Sequence, residues 1–135
     1  MFTAAVLIGA AASAAHAQVA NYQVVGDGIP QSLTGKPGDA ARGKALLVKR
    51  EAANCLSCHS IKGLPDGGSK GPALDGVGAS LTAAQLRLSV VDTSRVSRGS
   101  AMPSFHKSAA LGSDSPRLTA AEVEDVVAYL TTLRK

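Results

Sequence analysis

At 135 residues the chain has room for a single domain and little more. Its formal charge of +4 is modest, and Lys36, Arg42, Lys44, Lys49, Arg50, Arg87, Arg95 and Arg98 are scattered with little aromatic interleaving. That pattern excludes a nucleic-acid footprint and leaves solubility, or steering toward an acidic partner surface, as the use of the charge. Aromatic residues make up only 3% and Trp is absent, so the side chains alone build a thin core.

Residues 1–17 form an apolar run that ends in Ala15-His16-Ala17, the small-x-small form of a signal-peptidase site. The run is too short and too rich in alanine to span a bilayer, so a cleaved signal peptide is expected, with no membrane anchor afterwards. No Lys or Arg precedes it, which departs from the usual basic start of such segments and leaves the true start codon open, with an upstream start as one reading. All charged residues follow position 17, so the mature chain from Gln18 keeps its +4.

Residues 18–38 contain Gly26, Gly28, Pro30, Gly35, Pro37 and Gly38, too many breakers for a long helix or strand. An extended N-terminal arm is expected. The alternation in Tyr22-Gln23-Val24-Val25, with Ile29 beyond it, suits packing against the domain or against a partner. A domain over 39–135 follows, opened by Asp39 as N-cap of a helix predicted over 40–52. Gly43 within that helix costs about 1 kcal/mol relative to Ala, which points to a close helix crossing.

The helix leads into Cys55-Leu56-Ser57-Cys58-His59. The C-x-x-C-H pattern lets both sulfurs add across haem vinyl groups while the histidine binds the iron. Other readings are weaker. A dithiol redox centre wants a βαβ pattern, and these flanks read as helical. A zinc site would need His16 and His106, the former in the expected signal segment. A disulfide here would close a very small loop, and adjacent Cys and His rarely face each other as nucleophile and base. Both cysteines of the chain are thereby spent on one haem c, which also fills the thin core. Its two propionates lower the net charge to about +2.

After His59 come Gly63, Pro65, Gly67, Gly68, Gly71 and Pro72, a loop that passes around the haem edge. The Pro72 carbonyl is a candidate partner for the second nitrogen of His59, fixing its tautomer; otherwise Pro72 is an ordinary turn residue. Thr82 with Gln85, and Thr119 with Glu122, are capping boxes, so helices are predicted over 82–92 and 119–134. The second puts Val123, Val126, Val127, Leu130 and Leu133 on one stripe, with Tyr129 flanking it near Gly43. Between these helices lies Met102-Pro103, the only thioether after Met1. Met102 is the candidate sixth iron ligand opposite His59, with His106 as rival and an open site as the third possibility.

A helix, C-x-x-C-H, a Gly-Pro loop, a Met-Pro loop and an amphipathic last helix resemble a class I cytochrome c, an all-α fold of helices around one covalent haem. A narrower likeness lies in Ser32-Leu33-Thr34-Gly35-Lys36-Pro37-Gly38-Asp39 with Arg42-Gly43, and in Asn54 before the haem motif. It continues through Gly71-Pro72-Ala73-Leu74-Asp75-Gly76-Val77-Gly78, Gln85-Leu86-Arg87, Val91-Asp92 and Glu122 to Leu130, and these segments together resemble the SoxX family. The resemblance implies haem attachment at Cys55 and Cys58, axial ligation by His59 and Met102, and a periplasmic heterodimer with a SoxA-type cytochrome. It implies an L-cysteine S-thiosulfotransferase whose reactive haem sits on SoxA, a SoxYZ-type carrier as acceptor of the sulfur, and a downstream cytochrome c taking the electrons. No catalytic residue is then expected on this chain. A freestanding electron shuttle would use the same haem residues, and a ligand-binding haem protein would need a labile sixth position.

Overall fold

The computed structural model describes residues 19–107 and 116–135, so the segment 1–17 expected to direct export lies outside the described residues. In chain order the elements are α1 (Ala40–Val48), a 3₁₀ turn (Cys55–Ser57), α2 (Val77–Ser80), α3 (Ala83–Val91), α4 (Thr93–Val96) and α5 (Ala120–Thr132). Among the described residues the only β feature is an antiparallel bridge between Val25 and Gly28, and the fold is all-α. No helix among them is long and apolar enough to cross a membrane.

Helix α5 is the spine. Its capping box closes as expected, with Glu122 N–H donating to Thr119 Oγ1 (3.2 Å) and Thr119 N–H donating to Glu122 Oε2 (2.8 Å). Val123, Val126, Val127 and Leu130 are buried on the predicted stripe, while Leu133 caps the helix and is half-buried. Helix α3 repeats the device at Thr82 and Gln85 and buries Leu86, Leu88, Val90 and Val91 against the same core. Helix α1 crosses α5 at Gly43, where a Cβ would meet the Asp125 carbonyl and lie 3.0 Å from Tyr129 Cβ. The missing side chain is what lets the two backbones touch.

Helix α1 is shorter than the predicted 40–52. Lys49 is already extended (ψ 118°), and its carbonyl accepts from the amides of Ala52 (3.3 Å) and Asn54 (3.2 Å). The resulting turn, with Asn54 at φ 50°, redirects the chain so that Ala53 and Leu56 enter the core. A continued helix would carry those apolar side chains past it.

The charged residues Glu124 and Asp125 of α5 are buried, and each finds a guanidinium. Arg87 Nε and Nη2 donate to Glu124 at 2.8 and 3.0 Å, and Arg87 Nη1 donates to the Ile29 carbonyl at 2.6 Å. Arg42 Nε and Nη2 donate to Asp125 at 2.8 and 2.9 Å, and the Asp39 amide donates to it at 2.6 Å. The arm is laid on the same domain: Ile29 is fully buried, its N–H donates to Ala84 O (2.9 Å), and Leu33 N–H donates to Glu124 Oε1 (2.9 Å).

Arg42 holds the Asp125 carboxyl below the usual carboxylate range, outweighing the burial that would raise it. A depressed folded-state value means stability that is present above the unfolded-state value of about 3.9 and lost as pH falls through the folded one. Asp125→Asn should therefore flatten the acid limb of unfolding free energy against pH below about 4, where the unfolded parent binds the extra proton. An unchanged limb in denaturant titrations at pH 2–5 would assign the acid sensitivity elsewhere.

Candidate functional site

The haem motif folds into its 3₁₀ turn because the amides of Cys58 (3.2 Å) and His59 (3.0 Å) both donate to the Cys55 carbonyl. The loop behind it is stitched back onto the motif. Gly68 N–H donates to Leu56 O (2.8 Å), Gly71 N–H to Cys58 O (2.8 Å), and Leu74 N–H to Ser60 O (2.9 Å). Asp75 Oδ1 accepts from Lys62 N–H at 2.6 Å and closes the loop at its far end. Gly71 lies against the imidazole of His59, where a Cβ would overlap Cε1. Pro72 O sits 2.7 Å from His59 Nδ1. With Nδ1–H donating there, Nε2 keeps its lone pair for a metal.

His59, Cys55, Cys58 and Met102 line one surface-open cavity of about 400 Å³, which also touches Pro72 and Phe105. Its size lies in the range of small-molecule and cofactor sites. The motif and its loop line it together with residues of the segment from Ser89 to Phe105. The donors suit a haem: two thiols, one imidazole with a free Nε2 and one thioether line the same cavity.

No disulfide joins Cys55 and Cys58. Burial pushes the Cys55 thiol up to about 11, which keeps little thiolate at neutral pH for dithiol exchange. Among the described residues no three His, Cys, Asp or Glu side chains are grouped as a metal site.

His106 is not at this cavity. It is fully buried, and both ring nitrogens are spoken for: Ala20 N–H donates to Nε2 (2.9 Å), and Nδ1–H donates to Leu118 O (2.7 Å). Its use is to tie the arm to the stretch before α5. No sequence signal marked that use, because its partners are main-chain groups 86 and 12 residues away. The sequence also passed over Ser89 and Thr93, which line the cavity from α3 and α4. They lie on either side of the break at Asp92, where Thr93 Oγ1 donates to the Ser89 carbonyl (2.8 Å), and no periodicity in the sequence marks that break.

The cytochrome c family model matches residues 40–134. A crystal structure of SoxXA from P. pantotrophus superposes with a TM-score of 0.79 at 35% identity, over 84% of this chain and 95% of that one. The c-type cytochrome SorU from Sinorhizobium meliloti shares the fold, with a TM-score of 0.51 and 23% identity over 70% of this chain and 90% of its own. No curated protein matches the chain significantly. With C-x-x-C-H on the cavity wall and no strands among the described residues, the chain belongs to the cytochrome c family as a SoxX-type monohaem cytochrome, and its cofactor is a covalently bound haem c.

Proposed function

We propose that this cytochrome is the electron outlet of a SoxAX-type pair in periplasmic thiosulfate oxidation, with His59 and Met102 as the axial ligands of its single haem. The reading is carried by one observation: a thioether and an oriented imidazole share a cavity, while the rival imidazole is consumed by two main-chain bonds elsewhere. Haem c supplies a one-electron iron couple.

The chain's own residues set the conditions for that couple. Cys55 and Cys58 pin the macrocycle to the 3₁₀ turn, so the backbone fixes its place. Pro72 O holds the Nδ1–H of His59 and raises the basicity of Nε2. Met102 would supply a thioether to the haem iron, which would favour the reduced state and draw electrons from a thiolate-ligated partner. A closed coordination shell suits electron transfer rather than substrate chemistry. With both cysteines spent, no thiol remains here to form a sulfur–sulfur bond. That step belongs to a SoxA-type partner acting on a SoxYZ-type carrier, and a soluble cytochrome c would take the electrons onward.

The test is purification from the periplasm without chelators or reductants. Expected are an intact mass of the processed chain plus one haem, a c-type reduced-minus-oxidised spectrum, and tight co-elution with a second cytochrome. A haem-bearing chain that always elutes alone would make it a freestanding shuttle, and a chain without covalent haem would overturn the reading.

A further inference from the structure

The segment carrying Met102 makes few bonds of its own. Ser94 through Ala101 are exposed, and within the loop Met102 N–H donates to Ser100 Oγ (3.2 Å) and Ser100 N–H to Ser97 O (3.3 Å). What holds it is a carboxylate at its root. Asp92 sits at the junction of α3 and α4, with a side chain only 7% exposed. It accepts from the Ser94 hydroxyl on the outgoing strand of the loop. On the returning strand it accepts from Ser104 Oγ (3.2 Å), and it pairs with Lys107 Nζ at 3.3 Å. Lys107 Nζ also donates to Ser94 Oγ (3.3 Å), closing a ring of three side chains with Ser104 hung on its carboxylate. Burial pushes the Asp92 carboxyl up, but the bonds from Ser94, Lys107 and Ser104 outweigh it and keep it ionised.

We infer that Asp92 is a positioning residue for Met102, clasping both strands of the loop so that the thioether is presented to the iron. This rests on the reading of Met102 as sixth ligand. Two neighbouring bonds act in the same sense: Thr93 Oγ1 donates to Pro103 O (3.1 Å), and Phe105 N–H donates to Val90 O (3.0 Å). Their donors and acceptors are neutral, whereas Asp92 gathers its partners with a buried charge, the stronger kind of bond. Tethering both strands removes loop conformations in which the sulfur is away from the iron. A competing ligand must then displace a thioether whose effective concentration at the metal is high. Loss of the clasp lowers that concentration, and competitors gain by the same factor.

The experiment uses the haem-loaded full chain, oxidised, titrated with imidazole while the near-infrared sulfur-to-iron band is followed. Asp92→Asn keeps the shape and presents an amide where the charge was. It should show the band at zero imidazole but lose half of it at a concentration about tenfold or more below the parent's, as expected for losing bonds to a charged group. Ser104→Ala removes one donor and should move the midpoint the same way by less; it carries the test if Asp92→Asn fails to fold. Asp39→Ala removes the cap of α1 away from the loop and should titrate like the parent. A parent-like midpoint in Asp92→Asn and Ser104→Ala, or an equal shift in Asp39→Ala, would overturn the inference alone. Absence of the band in the parent would overturn the Met102 reading and this inference with it.

Discussion

In the haem-loaded protein, Met102→Ala should abolish the near-infrared sulfur-to-iron band and open the iron to imidazole and, when reduced, to carbon monoxide. The expectation follows from what else the chain could offer. Met102 lines the cavity half-buried, and the only other methionine is Met1. His106 would have to give up bonds to Ala20 N–H and Leu118 O and leave a fully buried position before it could replace the sulfur. Leaving those two main-chain groups unpaired costs about 1–3 kcal/mol each. The iron of the variant should therefore stay five-coordinate or take water. Replacing a thioether by an oxygen ligand favours the oxidised iron. The reduction potential should fall by on the order of 0.1 V, a modest part of the ~0.8 V that axial ligands command. Potentiometry of parent and variant checks the fall, and visible and near-infrared spectra check the opened site. A parent without the band, or a variant that keeps a low-spin six-coordinate spectrum, would remove Met102 from the iron.

The largest loss of stability is expected at a residue far from the haem. Glu124→Ala should lower the unfolding free energy by about 3–5 kcal/mol, the usual cost of leaving one buried charge without its partner. The side chains of Arg87 and Glu124 are 8% and 4% exposed, so water cannot replace the lost carboxylate. The substitution also orphans the Leu33 amide, which donates to Glu124 Oε1. For a domain of this size the melting temperature should drop by roughly 10–25 °C. Removing both charges as Arg87→Met with Glu124→Leu should recover a large part of the loss, because two well-packed apolar side chains carry no desolvation cost. The recovery is incomplete, since the Leu33 amide stays without its partner and the Ile29 carbonyl now loses Arg87 Nη1 as well. Calorimetry on the single and double variants decides. If the double variant is no better than Glu124→Ala, the loss comes from the arm's main-chain bonds rather than from the stranded guanidinium.

Features built from near neighbours were legible in the residues themselves. Cys55, Cys58 and His59 lie within one turn, and Thr82 with Gln85, or Thr119 with Glu122, close rings three residues apart. Gly43 could be read as a crossing because a glycine inside a helix costs stability that only a close contact returns. Glu124 and Asp125 were not readable in the same way. On the helical wheel they lie off the apolar stripe, where solvent is the expectation, and nothing local says that Arg87 and Arg42 arrive to meet them.

What the sequence by itself determined is the covalent chemistry: one C-x-x-C-H turn, one histidine beside it, one thioether downstream and no spare thiol. These follow from residue type and short spacing. Only the tertiary structure decided that the arm lies on its own domain, that His106 is spent on Ala20 and Leu118, and that Asp92 gathers Ser104 and Lys107 beside the Met102 loop. Each of those depends on which groups twelve to ninety residues apart become neighbours once α1, α3 and α5 bury a common core, and burial is what turns an ordinary polar side chain into a fixed one.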